Sequence, residues 1–368
     1  MHILIAPDKF KGSLSAREVA DNIAMGLRDV LPSATIEIVP VADGGEGTAE
    51  VICQIRGGEW VECDSHDALG REITARYVWL RDQSAALMEM SEAAGMWRIA
   101  PLECDPLRAN TYGVGEMLLD AAKRGAREIT VGLGGSATND GGFGMARALG
   151  FRFLNNESVE LNGPVSDLLD LERILRPSDL SLPALIAAAD VKNSLLGARG
   201  ATRTFGPQKG AAPDQLDLLE GALSRLADIV ARERHCDFRE AAGAGAAGGL
   251  GFGLMSFCGA SVRPGFEVVA EVVGLKAAIE RSDVVITGEG CLDAQTLEGK
   301  APAGVARLAH ESGKRVFAIV GATSESADVH NLFEGLYVLA REPISKQEAM
   351  MRAGELSQER ARELARAL

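Results

Sequence analysis

The chain of 368 residues is long for one hydrophobic core, so two domains are the natural expectation. Hydrophobic residues make up 46% and charged residues 24%, an ordinary globular balance, and no apolar run approaches the ~20 residues of a membrane span. With 38 basic against 52 acidic residues the formal charge is -14, a field that repels polyanions and argues against nucleic acid, although backbone dipoles and single lysines can still attract small anions.

The N-terminus reaches Pro7 and Asp8 almost at once, without the basic and apolar stretches of a signal peptide, so a cytoplasmic location is expected. Ile3 to Ala6 is a short apolar run of the kind a doubly buried strand shows. Ser15 and Glu18 form a capping-box pattern, and Val19, Ile23, Leu27 and Val30 follow at helical spacing until Pro32. Ile36 to Val39 supplies the next strand, which completes the opening of a parallel α/β sheet. The same rhythm returns after about residue 275. A helix leads to a strand ending at Ile286, and a second helix carries Pro302 in its first turn and Gly313 past its end. Strands at Val316 to Val320 and Leu336 to Leu339 follow, and a last amphipathic helix opens on Ser345 and Glu348. The pattern predicts a doubly wound parallel-sheet domain from residues 1–63 and 271–368, with residues 64–270 as a second domain inserted into it. The six cysteines show no metal-type spacing and read as reduced core thiols.

Five Gly-rich, strand-end segments could carry chemistry. The first, Ala6 to Ser13, sets Asp8, Lys9, Lys11 and Ser13 at a helix N-terminus, where a phosphate or carboxylate is well received. The second, Val41 to Thr48, places Asp43 and Glu46 among Gly44, Gly45 and Gly47, and its carboxylates suit Mg2+ or a substrate hydroxyl. The third, Gly132 to Gly142, offers backbone N–H groups with Gly134, Gly135, Ser136 and Thr138. It also fits the loose dinucleotide fingerprint Gly-x-Gly-x-x-Ala. The fourth carries Asp190 and Asn193 beyond a strand, with Lys209 in a later Gly/Pro turn. The fifth, Thr287 to Pro302, holds Glu289, Asp293 and Lys300, but Ala301 after the lysine rules out a Walker A loop. All five histidines lie outside these segments and no nucleophile elbow is present, so carboxylates and lysines must do the work.

In this order the segments resemble the bacterial type-1 glycerate kinase family. The matching blocks are IAPDKFKGSLSA, PVADGGEGT, TYGVGE, GLGGSATNDGG, AADVKN, GPQKGA, GAGAAGGLGFG and ITGEGCLDAQTLEGKAPAGVA, spanning about residues 3 to 307. Cys291 and Ser194 depart from the pattern, where a larger polar residue and a proline are usual. The resemblance implies Mg2+- and ATP-dependent phosphorylation of D-glycerate, usually to 2-phosphoglycerate, in an α/β fold whose Rossmann-like doubly wound domain carries a second, inserted α/β domain, with the active site between them. On this expectation Glu289, Asp293 and Asp190 hold Mg2+, and Lys9 and Lys300 balance charge. Asp43 or Asp190 accepts the hydroxyl proton. Asp8, Lys11, Ser13, Gly44, Gly45, Gly134, Gly135, Ser136, Asn193 and Lys209 bind substrate or phosphate. A homo-oligomer is compatible with the sequence without being required by it. Two other classes remain at this point: an NAD-dependent hydroxy-acid dehydrogenase using the Gly132 loop, and a non-catalytic small-anion binding protein.

Overall fold

The computed structural model describes residues 1–293, 300–323 and 331–368. The chain divides into two compact units: residues 1–43, 50–56 and 264–368 form unit 1, and residues 44–49 and 57–263 form unit 2.

The chain opens with strand β1 (His2–Ile5), helix α1 (Ala16–Val30) and strand β2 (Thr35–Ile38), and helix α2 (Thr48–Arg56) follows. Ser15 caps α1 as the sequence predicts: its hydroxyl oxygen accepts the Glu18 N–H at 3.3 Å, and Glu18 accepts the Ser15 N–H at 2.8 Å. The Ser15 N–H and the Ser15 hydroxyl, which donates to Glu18 Oε2 at 2.8 Å, hold the Glu18 carboxyl below its usual range. The helix stops at Val30, two residues ahead of Pro32.

Unit 2 follows with β3 (Glu59–His66), β4 (Glu72–Leu80), β5 (Ala85–Glu89), α3 (Ser91–Ala94), α4 (Tyr112–Lys123), β6 (Glu128–Gly132) and α5 (Phe143–Ala148). A small ribbon, β7 (Arg152–Leu154) with β8 (Arg173–Leu175), precedes β9 (Ala184–Ala188). Then come α6 (Ala201–Phe205), α7 (Gln215–Arg234), α8 (Ala246–Cys258) and β10 (Ser261–Arg263). The main sheet runs β10-β9-β6-β5-β4-β3. Its first four strands are parallel, and β4 and β3 close it in antiparallel pairing.

The return to unit 1 brings α9 (Gly265–Val272), α10 (Leu275–Arg281), β11 (Val284–Thr287), β12 (Cys291–Leu292), α11 (Ala301–Glu311), β13 (Arg315–Val320), β14 (Ala322–Thr323), β15 (Gly335–Val338), α12 (Lys346–Met351) and α13 (Ala353–Ala367). Its main sheet is wholly parallel in the order β15-β13-β11-β1-β2. Alternate residues Ile3, Ile5, Val284, Ile286, Phe317 and Ile319 share a core with α1 and α13. Leu4, Val285 and Ala318 point the other way and are equally buried, with α10 and α11 packed on the same strands. A sheet covered on both faces explains why its strands read as unbroken apolar runs rather than alternating ones. The order makes β1 and β11 the place where the winding reverses, and in open α/β sheets ligands sit beyond the strand ends at such a point.

The α/β class expected from the sequence holds. The boundaries differ from 63/64 and 270/271: β3 begins at Glu59 and pairs with β4, which draws residues 57–63 into unit 2, and α9 assigns residues 264–270 to unit 1. The last helix is broken at Arg352 into α12 and α13. The cap at its start is one-sided: Ser345 Oγ accepts the Glu348 N–H at 3.2 Å, while the Glu348 carboxylate pairs with Arg352.

Candidate functional site

The loops after β1 and β11 build a cavity of about 510 Å³ in unit 1. The first loop leaves β1 through Ala6, whose N–H reaches Ile286 O at 2.7 Å, and Asp8, whose N–H reaches Gly288 O at 2.8 Å. It then turns tightly, with the Phe10 N–H on Leu14 O at 2.9 Å and Gly12 at a φ of +76°, a left-handed conformation that glycine adopts freely. Phe10 is buried in the core and anchors the turn, so Asp8, Lys9 and Lys11 are presented from a fixed frame. The second loop is as constrained. A Cβ on Gly288 would collide with the Ile319 carbonyl oxygen, and one on Gly290 would stand 3.1 Å from the Lys11 nitrogen. The glycines around Glu289 therefore answer to close backbone approach.

Of the residues singled out in the sequence, Asp8, Lys9, Lys11, Ser13, Asp43, Glu289, Asp293 and Lys300 all line this cavity. Lys300 caps α11 and its ammonium lies 3.6 Å from Asp293. Ser13 donates its hydroxyl to Met350 O at 2.7 Å, which ties the first loop to α12. The carboxylates Asp8 and Glu289 are only 9% and 7% exposed. Burial, then the negative charge of Asp43, drive the Asp8 carboxyl well above its usual pKa range; Glu289 adds to the rise, and the Lys9 N–H at 2.6 Å opposes it. A carboxyl raised in this way by burial and by its acidic neighbours marks a place that favours a positive partner. Sequence reading missed Lys346 and the apolar wall of Phe10, Leu339, Ala349, Met350 and Ala353. The part of the fifth segment at residues 294–299 lies outside the described residues.

Gly44, Gly45, Gly134, Gly135, Ser136, Asp190, Asn193 and Lys209 belong to unit 2 and do not line the unit 1 cavity. Gly132 and Gly134 pass so near the Gly44–Gly45 backbone that added Cβ atoms would lie 2.5 and 2.6 Å from it. The loop after β6 is pinned by Asp140, which accepts the Thr111 N–H and hydroxyl at 2.9 Å each, Gly142 N–H at 3.1 Å and Gly144 N–H at 2.9 Å. Burial raises the Asp140 pKa, and these hydrogen bonds oppose the rise. Its helix, α5, begins only at Phe143, well past Gly132-x-Gly134-x-x-Ala137, whereas a dinucleotide fingerprint opens directly into its helix. Asn193 donates to Arg199 O at 2.6 Å and so braces its own turn. Asp190 follows the end of β9 and is half-buried. Lys209 is 2% exposed, and its ammonium is turned inward to Ser136 Oγ at 2.7 Å and Thr138 O at 2.6 Å.

Among the described residues, no three His, Cys, Asp or Glu side chains form a metal cage by themselves. No described helix is long and apolar enough to cross a membrane.

The model of the glycerate kinase family matches residues 3–368. The chain belongs to the glycerate kinase family. Membership makes it an enzyme, a kinase with an alcohol group as acceptor. The chain is similar to the glycerate kinase of Bacillus subtilis (strain 168), 38% identical over 371 residues, with 99% of this chain and 97% of the relative covered. It is 40% identical over 336 residues to the glycerate 2-kinase of Escherichia coli (strain K12), covering 89% and 87% of the two chains. The crystal structure of a protein assigned as glycerate kinase 2 from Salmonella typhimurium LT2 superposes with a TM-score of 0.88 at 38% identity, covering 100% of this chain and 98% of the other. Other glycerate kinase family members thus share both the sequence and the fold over nearly the whole length.

Proposed function

We propose that this enzyme transfers the γ-phosphoryl group of ATP, with Mg2+, to D-glycerate and yields 2-phosphoglycerate. The observation that carries the reading is the unit 1 cavity, where Lys9, Lys11, Lys300 and Lys346 surround the carboxylates Asp8, Asp43, Glu289 and Asp293. Lysines suit phosphate oxygens, and the buried carboxylates suit the cation that travels with them. The volume accepts a nucleotide polyphosphate, and the apolar wall offers a dry surface beside it. The name of the Escherichia coli relative supports the 2-hydroxyl as the position of attack.

Phosphoryl transfer depends mainly on positioning and charge neutralisation. Asp8, Glu289 and Asp293 would hold Mg2+, which would supply positive charge against the negative charge that develops on the phosphate. Lys9 and Lys300 balance the remaining negative charge, from fixed places on a turn and a helix cap. The substrate hydroxyl oxygen forms the new bond to the γ-phosphorus as the bond to the bridging oxygen breaks, and ADP leaves. The hydroxyl proton passes to a carboxylate, for which Asp43 and Asp190 are the candidates. Asp190 is then the group whose amide variant loses turnover if it is the base, and Asp43→Asn takes that loss if it is not.

The test is a ³¹P NMR product assay with purified protein, Mg-ATP and D-glycerate. A 2-phosphoglycerate signal that needs the protein supports the whole reading. A 3-phosphoglycerate signal keeps the kinase and overturns the regiochemistry, and unchanged ATP overturns the substrate.

A further inference from the structure

Lys209 is a buried cation that the proposed chemistry does not use directly. It sits in a short turn, Pro207–Lys209, ended by Gly210 at a φ of +95°. A Cβ on Gly210 would press on the Cys104 carbonyl at 2.5 Å, so the turn is held tightly in place. The Lys209 side chain runs from this turn to the glycine-rich loop after β6, where both of its hydrogen bonds end: Ser136 Oγ at 2.7 Å and Thr138 O at 2.6 Å.

That loop is expensive to hold. Gly135, Gly141 and Gly142 have φ of +69°, +64° and +79°. Thr138 and Asn139 are fully buried, and Thr138 Oγ1 and Asn139 Oδ1 find no hydrogen-bond partner among the described residues. Such groups favour any rearrangement that brings them to water. Gly248 packs against Thr138 O so closely that no side chain fits there, and the Gly141 N–H bonds to Gly248 O at 3.1 Å. Asp140 pins one end of the loop and Lys209 ties its middle. Burial brings the Lys209 ammonium down to about 7, and Asp140, the charged group that faces it, opposes the fall.

We propose that Lys209 is a positioning residue of this kinase, fixing the Gly134–Asp140 loop through Ser136 and Thr138 rather than touching substrate. The claim rests on the kinase reading for its activity tests but not for its structural one. A charged donor makes the stronger hydrogen bonds, so the loop is held best by the ammonium form and loosens as the lysine loses its proton.

The experiment compares wild type, Lys209→Met, Ser136→Ala and the double variant. In the absence of any substrate, hydrogen exchange of residues 133–142 should speed up in Lys209→Met while β6 residues 128–131 keep their protection. Displacing a loop by an ångström or so costs about 100-fold in turnover, so kcat of Lys209→Met should fall by that order under conditions where urea denaturation shows the variant fully folded. The double variant should lose no more than Lys209→Met alone, because both substitutions break one connection. The alkaline fall in kcat beginning above about pH 7 in wild type should be missing from Lys209→Met. Unchanged loop exchange in Lys209→Met overturns the proposal, whatever the acceptor proves to be. So does multiplicative loss in the double variant, or an alkaline limb that survives the substitution. Should wild type fail to phosphorylate glycerate, the glycerate reading falls and the exchange result alone decides the role of Lys209.

Discussion

Lys209→Met should change the pH dependence of stability in a direction that hydrogen-bond counting alone does not give. The unfolded lysine titrates near ~10.4, whereas burial holds the folded one at about 7. Between those values the unfolded chain binds about one proton more than the folded chain at this site. Stability therefore rises with pH across that window, by up to ~1.4 kcal/mol per pH unit. The full penalty is present below the folded pKa and disappears above the unfolded one. From pH 7.5 to 9.5 the wild type should gain about 2 kcal/mol relative to Lys209→Met, in which the proton difference is abolished. Taking the difference between the two proteins cancels every other titrating group that the substitution leaves alone. At pH 7.5 the variant escapes the cost of a buried charge but leaves Ser136 Oγ and Thr138 O without their donor, at about 1–3 kcal/mol each. The two effects oppose one another, so the change with pH, not the value at one pH, carries the test. Urea denaturation of both proteins at the two pH values measures it, with exchange of the slowest unit 2 amides as a local check. Parallel stability curves would refute the argument.

Four further outcomes follow from the geometry. Asp8→Asn should lower kcat by about 100-fold or more and raise the Mg2+ concentration needed for half-maximal rate, measured in a coupled ADP assay across a Mg2+ series. Lys300→Ala removes a cation beside Asp293, and the KM for ATP should rise about 10-fold or more, with the effect read from initial rates at fixed glycerate. Gly288→Ala drives a methyl group into the Ile319 carbonyl and should cost about 1–3 kcal/mol, visible as a lower urea midpoint in unit 1. Ser15→Ala deletes the α1 cap, and a loss of about 1 kcal/mol is expected in the same measurement, with kcat unchanged.

Much of the unit 1 cavity was legible because its residues follow strand ends in Gly-rich turns. Apolar runs identify β1 and β11, and a turn after a buried parallel strand points to the ligand side of the sheet. Lys346 and Met350 were not legible in the same way. They lie on α12, which reads as an ordinary amphipathic helix, and only the path of the chain after β15 brings it to the β1 loop. Asp190 shows a different limit: its strand-end position resembles that of Glu289 but lies in the sheet of unit 2, and no local pattern distinguishes the two sheets. Lys209 reads as a substrate- or phosphate-binding lysine in a Gly/Pro turn; its burial depends on Cys104 and the β6 loop, which are distant in sequence. The Gly243–Gly253 run carries no separate chemistry that the structure requires. Its glycines let α8 lie against the Thr138–Gly142 backbone, where side chains do not fit.

The reversal of winding between β1 and β11 also constrains how the molecule is made. Thr287 donates its hydroxyl to Ala6 O across a separation of 281 residues. A ribosome adding about 5–20 residues per second needs on the order of 15–60 s to synthesise that interval. Throughout it, β1 has only β2 to pair with, and the edge that β11 will cover stays open. The first segment of the cavity is thus synthesised long before the strand that completes it. Until β11 arrives, His2 to Ile5 is an apolar strand with one unprotected edge, a target for chaperones and for mispairing with neighbouring nascent chains.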